Sequence, residues 1–346
     1  MEACLGLEAF VTPARVRNKD IISVAGHWPR MSARTVPTAR QPVSFSGHFI
    51  APSMPNSRSW VASHALSAPS GADGAQEPSP SSMLEFVELA HQLADAAGEI
   101  LLKYFRKRIE ITDKEDLSPV TIADQAAEQA MRSLVSKRFP SHAIFGEEWG
   151  LESPTEDIEF VWVLDPIDGT KSFITGKPVF GTLISLLYRE IPIIGIIDQP
   201  VLRERWVGVK GKKSILNGEE IETRLCSSLS NAYLYTTSPH LFLGAAAEAF
   251  SRVRDKVKVP LYGCDCYAYG LLAAGHVDLV IESGLKPYDF LALVPVVEGA
   301  GGLLTDWKGQ PLRWWPSPAG KLHGTDVIAA GDKRIYEAAL AALHGN

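Results

Sequence analysis

The chain has 346 residues, 46% of them apolar, which is enough for a full buried core and excludes a disordered or fibrous protein. No stretch approaches the roughly 18 uninterrupted apolar residues of a membrane-spanning helix, so a soluble protein with no membrane partner is expected. The first 75 residues carry seven basic side chains against four acidic ones; taking them from the totals of 34 and 40 leaves 27 against 36, a formal charge of −9 that repels nucleic acid and suits divalent cations.

In chain order, the N-terminal segment is rich in Ser, Ala, Pro and Arg, shows no helical or strand period, and lacks the single long apolar core of a secretory signal. It reads as an organelle transit peptide, and its Ser and Pro content points to the plastid, with the mature protein in the chloroplast stroma. Gly71 to Ser82 reads as a linker, so residues 1–82 are expected to be leader and linker and folding to start at Met83. Phe86, Leu89, Leu93, Ala97, Ile100 and Tyr104 then recur at three and four residues, the apolar face of a helix, and Ala127, Met131, Leu134 and Val135 predict a second helix over 123–138.

Short apolar runs follow at 143–145, 160–164, 182–188, 191–197 and 205–209, broken by Gly and Pro as the strands of one sheet would be. Beyond residue 226 strands at 233–236, 279–281 and 326–330 alternate with helices at 245–253, 267–274 and 289–298. This divides the body into an α+β part, 83–225, and an α/β part, 226–346. Cys4 falls in the leader, and Cys226, Cys264 and Cys266 have neither zinc nor redox spacing, so they read as buried or substrate-lining thiols. Trp314 and Trp315 read as packing residues.

The most informative run is Trp162-Val163-Leu164-Asp165-Pro166-Ile167-Asp168-Gly169-Thr170. Pro166 is expected to stop the strand and turn the chain so that Asp165 and Asp168 converge on one point. Gly169 permits close approach of the backbone to a ligand, and Thr170 opens a helical turn whose N–H groups would meet a phosphate. Two more acids stand at ends of separate elements: Glu147 in Gly146-Glu147-Glu148, and Asp289 after Lys286-Pro287-Tyr288. Carboxylate oxygens without His or Cys select a hard ion, Mg²⁺ over Zn²⁺. Ser118-Pro119-Val120-Thr121-Ile122-Ala123-Asp124 leads into the second helix, where Thr121 or Asp124 would also cap it.

These runs, with Tyr288-Asp289 followed by Glu298-Gly299-Ala300-Gly301-Gly302, resemble in kind and order the inositol monophosphatase-like, metal-dependent and lithium-sensitive phosphatases. The resemblance implies a layered αβαβα sandwich, a homodimer, and two or three Mg²⁺ per site. It places the first ion on Glu147, Asp165 and the Ile167 carbonyl, the second among Asp165, Asp168 and Asp289, and a weaker third at Glu147. Asp124 and Thr170 would orient the attacking water with Glu147, while Asp168, Gly169, Thr170 and Asp289 would meet the substrate.

Gly263-Cys264-Asp265-Cys266-Tyr267, Glu282 before Leu285-Lys286-Pro287-Tyr288-Asp289, and Gly169-Thr170-Lys171-Ser172-Phe173 look like the histidinol-phosphate phosphatases of that superfamily. An uncharged polyol gains little from the extra carboxylate of Asp265, whereas an amino alcohol bearing an imidazole can pair with it. Asp265 and Glu282 are therefore the expected substrate-side residues for a small phosphorylated amino alcohol. Two alternatives stand beside this: the same machinery acting on inositol or sugar monophosphates, and a catalytically silent homologue that binds metal or phosphate as a regulator.

Overall fold

The computed structural model describes residues 78–108, 111–113, 119–316 and 322–345; the expected leader to residue 77 and Ser118 lie outside them. Helix α1 (Pro80–Tyr104) starts inside the segment expected to be linker. The Pro-Ser run there is a helix start: the Ser79 side chain accepts from Ser82 N at 3.1 Å, and Pro80 sits at the first helical position, where its missing N–H costs nothing. Phe86, Leu89, Leu93, Ala97 and Leu101 form its buried stripe.

A short antiparallel pair, β1 (Ile111–Asp113) and β2 (Pro119–Thr121), leads into α2 (Ile122–Arg138). The first large sheet contains β3 (Ala143–Gly146), β4 (Gly150–Glu152) and β5 (Phe160–Asp168), then, after the one-turn helix α3 (Thr170–Ile174), β6 (Gly181–Tyr188), β7 (Ile191–Gln199), β8 (Glu204–Val209), β9 (Ile215–Leu216) and β10 (Glu219–Glu220). Its order is β10-β9-β8-β7-β6-β5-β3-β4, antiparallel except for the parallel pair β3 and β5. Strands β5 to β7 are apolar along nearly their whole length because both faces of the sheet are covered. Trp162, Leu164, Ile184 and Ile196 pack under α1 and α2, while Val163, Leu183 and Ile197 face the opposite layer.

The second half runs β11 (Tyr233–Thr236), α4 (Ala245–Arg254), β12 (Val259–Tyr262), α5 (Tyr267–Ala273), β13 (Leu279–Leu285), α6 (Pro287–Phe290), α7 (Leu293–Gly299), β14 (Leu303–Asp306), β15 (Thr325–Ala330) and α8 (Lys333–His344). The five-stranded sheet has the order β12-β11-β13-β15-β14. Helices α5 and α7 lie between the sheets, sharing a core with Val163 and Leu183 on one side and Val280, Val327 and Ala329 on the other. Leu234, Ile281 and Ile328 face outward under α4 and α8. The result is the expected αβαβα sandwich.

Two further expectations are corrected. β5 does not stop at Pro166 but runs to Asp168, with a register shift between Asp165 and Asp168 that absorbs the proline in a bulge. The helix expected over 289–298 is two pieces, α6 and α7, because Pro295 has no N–H to offer the Leu291 carbonyl one turn back. The short strands β1, β2, β4, β9, β10, β12 and β14 were not anticipated, nor was the terminal helix α8, although Ile335, Tyr336, Ala339, Ala342 and Leu343 give it a buried face of helical spacing.

His142, just before β3, is stacked between Phe139 and Phe160 at 4.7 and 4.6 Å and accepts from Trp162 Nε1 at 3.2 Å. Burial holds its pKa down at about 4, against 6.5 for a free imidazole. The unfolded chain therefore takes up a proton that the folded one refuses: the contribution of the neutral ring is complete above about pH 6.5 and is lost as the pH falls through about 4, at most about 3 kcal/mol. The urea midpoint of the wild type is expected to fall more steeply from pH 7 to pH 4 than that of His142→Phe; parallel slopes would show that the ring is not shielded.

Candidate metal and phosphate site

The bulge in β5 makes the acidic pair. Residues three apart in a regular strand face opposite sides, but Asp165 pairs with Leu183 and Asp168 with Gly181, so one extra residue on β5 brings both carboxylates to the same side. Asp165 Oδ1 accepts from Ile167 N at 3.0 Å, and Thr182 Oγ1 closes the bulge on the Pro166 carbonyl at 2.9 Å. Asp289, in the first turn of α6, accepts from Lys286 N at 2.7 Å and so points back toward β5. One oxygen from each of Asp165, Asp168 and Asp289 lies within 4.8 Å of the others. Glu147 follows β3 directly; its N–H donates to the Leu164 carbonyl at 3.1 Å, which continues the parallel pairing and sets Glu147 beside Asp165.

These acids oppose one another's ionisation. Burial, then the charges of Glu147, Asp168 and Asp289, push the Asp165 carboxyl well above its usual range. Asp168 is pushed up to about 7, first by burial and next by Asp265, and Asp289 is raised by burial and by Asp168. No base is among the groups acting on Asp165 or Asp168. Only Lys286, beside Asp289, is a base among the groups that act on these three acids, and a buried to half-buried cluster so weakly compensated fits a small divalent cation, its all-oxygen donor set fitting Mg²⁺. Glu147, Asp165, Asp168 and Asp289 are placed to hold it.

The groups expected to handle water flank this cluster. Asp124 is 1% exposed and its Oδ2 accepts from Thr121 N at 2.8 Å and Thr121 Oγ1 at 2.6 Å, while Thr121 Oγ1 accepts from Ala123 N at 3.1 Å. Asp124 is thus both helix cap and site acid. Burial, opposed by these bonds and assisted by Glu147, pushes it up to about 6. The Thr170 hydroxyl donates to the Ile167 carbonyl at 3.1 Å, so each of the two is fixed by its own neighbour.

On the substrate side Gly169 has φ 84°, and a Cβ there would stand 2.8 Å from Asp265 Cγ: the close approach that needs a glycine is to Asp265. Asp265, itself left-handed at φ 45°, accepts from Ser172 Oγ at 2.6 Å and does not cap the helix that follows it. In the same loop Cys266 N donates to Asp168 Oδ2 at 2.6 Å. Lys171 and Lys177 offset part of the Asp265 charge. Glu282 is 2% exposed, with Oε1 bonded by Thr237 N at 2.6 Å and Oε2 by Thr236 Oγ1 at 3.1 Å, so it braces the end of β11 behind the site. Its carboxyl is pushed up to about 8, chiefly by burial. Ser172 and the Cys266 amide escaped sequence reasoning, and no local signal could have found a partner of Ser172 that lies 93 residues away.

Asp165→Asn keeps the Ile167 bond but removes a charge that its neighbours disfavour. In EDTA the variant is expected to melt several degrees above the wild type, since relief of buried like-charge repulsion is worth about 1–3 kcal/mol. Mg²⁺ should raise the melting temperature of the wild type and leave the variant unmoved; a variant less stable than wild type in EDTA would contradict the repulsion.

Comparison with known proteins agrees with this geometry. The sequence model of the inositol monophosphatase family matches residues 82–346. The chloroplastic bifunctional phosphatase IMPL2 of Arabidopsis thaliana is 62% identical over 267 residues, covering 77% of this chain and 77% of its own. A histidinol-phosphatase of Mycobacterium tuberculosis is 35% identical, over 64% of this chain and 87% of its own. Among solved structures, an inositol monophosphatase from Zymomonas mobilis superposes with a TM-score of 0.67 at 48% identity, covering 75% of this chain and 98% of its own. With the carboxylate cluster in place and a family match from the first helix to the last residue, the chain belongs to the inositol monophosphatase family and is a phosphatase.

Proposed function

We propose that this phosphatase hydrolyses L-histidinol phosphate to L-histidinol and phosphate, a step of histidine biosynthesis. The observation that carries the reading is Asp265: a carboxylate lying against Gly169 and acting on Asp168, at the rim of the phosphate turn. A cationic substrate can form a charge-assisted pair with that carboxylate, whereas a neutral polyol offers it only hydroxyl hydrogen bonds, which are about half as strong. Relatives named histidinol-phosphatase support the same choice. Inositol monophosphate is the second reading, favoured by the name of the 48% identical structure and by the word bifunctional in that of the 62% identical relative.

Enzymes of this family use Mg²⁺. Glu147, Asp165, the Ile167 carbonyl, Asp168 and Asp289 would hold it, and it would supply a Lewis acid that draws charge from the phosphate and lowers the proton affinity of a water. Thr170 and Asp124 orient that water, and the Asp124 carboxylate accepts its proton. Gly169 and Thr170 carry the phosphate, Asp265 pairs with the amine or imidazole, and Glu282 backs the same wall. We assign the working enzyme to a homodimer in the plastid stroma, after removal of a transit peptide; the chloroplastic relative supports the location.

With Mg²⁺ present, kcat/KM for histidinol phosphate is expected to exceed that for inositol 1-phosphate. Asp265→Asn, which keeps an acceptor for Ser172, should lower the first by about 10- to 150-fold and the second by less than about 3-fold. An equal fall for both substrates would remove Asp265 from substrate choice. Residues 1–77 fused to a fluorescent protein should carry it into plastids of a plant cell; retention in the cytosol would overturn the location.

A further inference from the structure

Glu128 and Arg132 form a buried ion pair, 0% and 5% exposed at their side chains, that the chemistry above does not use. Glu128 lies four residues after Asp124 on α2, one turn along the same helical face. Its carboxylate passes over Gly146, where a Cβ would stand 2.0 Å from Oε1, so only a glycine before Glu147 admits it. Oε2 accepts from Glu148 N at 2.8 Å, and Oε1 from Trp149 N at 3.1 Å and Arg132 Nε at 2.9 Å. Arg132 in turn donates to the Gly150 carbonyl and, at 3.3 Å, to Glu152 Oε2.

The turn that carries Glu147 is therefore held on two sides. The N–H of Glu147 is fixed to Leu164, one residue before Asp165, and the next two amides are fixed to Glu128. The first turn of α2 contributes Asp124 and its second clamps the peptide groups beyond Glu147, so one helix sets the position of a metal ligand relative to the water-handling acid. We propose that Glu128, supported by Arg132, is a positioning residue for the Mg²⁺ ligand Glu147. The proposal rests on the reading of Glu147 as a ligand.

The test is Mn²⁺ binding, by calorimetry or by loss of the free-ion magnetic resonance signal, in wild type, in Glu147→Gln, and in the paired replacement Glu128→Leu with Arg132→Leu. Removing both charges together avoids an orphaned buried ion. The paired variant is expected to bind Mn²⁺ about 10- to 100-fold more weakly, the range for outer partners of metal ligands. The Mg²⁺ needed for half-maximal turnover should rise in parallel, while KM for the phosphate ester at saturating Mg²⁺ changes by less than about 2-fold. A matched control, Asp278→Leu with Arg224→Leu, removes another ion pair, with Asp278 2% exposed, in the second half of the molecule and should leave Mn²⁺ affinity unchanged. If the paired variant does not fold, Glu128→Gln takes its place with the same expected direction. Weak binding by Glu147→Gln with wild-type affinity in the Glu128 variant overturns the proposal; equal affinity of Glu147→Gln and wild type overturns the ligand reading and the proposal with it.

Discussion

At 4.8 Å and an effective dielectric of about 20, two carboxylates repel by about 3 kcal/mol, and the centre of this molecule holds three that close with a fourth beside them. They do not swing apart because a backbone amide holds an oxygen of each of the three: Ile167 for Asp165, Cys266 for Asp168 and Lys286 for Asp289. Asp124 is tied in the same way to Thr121. The fold stores a negative potential in fixed positions, and a cation discharges it. Affinity for a hard ion and reluctance to exist without one are two sides of that arrangement.

The layers exist to bring these amides together. The first sheet delivers Glu147 from β3 and the two aspartates from β5, adjacent because those strands run parallel. Asp289 arrives on α6, which leaves β13 of the other sheet and passes between the two. The loop before α5 crosses to β5, giving Cys266 N to Asp168 and receiving Ser172 at Asp265. The proposed substrate-side carboxylate and the acidic cluster thus share one junction: the peptide that fixes Asp168 directly follows the residue assigned to the amine.

Most of the site was legible because each acid lies in a short run that announces its own turn: Asp165 and Asp168 around a proline, Asp289 just after one, Glu147 behind a glycine. Strands β5 to β7 and helices α1 and α2 were legible through unbroken apolar runs or a clear period. What failed were inferences in which one residue was given a fixed meaning. Pro166 read as the end of a strand, yet a bulge accommodates it, and the Pro-Ser run at residues 78–82 read as linker although it caps a helix. The roles of Ser172 and Glu128 were invisible because their partners are distant in sequence and chosen by packing.

The extra residue in β5 also fixes the motif as a length. Deleting a residue between Asp165 and Asp168 would restore plain alternation with the two still on one side, but it would remove the bulge whose Pro166 carbonyl receives Thr182 Oγ1 and whose Ile167 carbonyl receives the Thr170 hydroxyl. Lineages that retain this reaction are therefore expected to keep the spacing from Asp165 to Thr170 together with an apolar side chain at Ile167, which is fully buried in the core under α1 and α2.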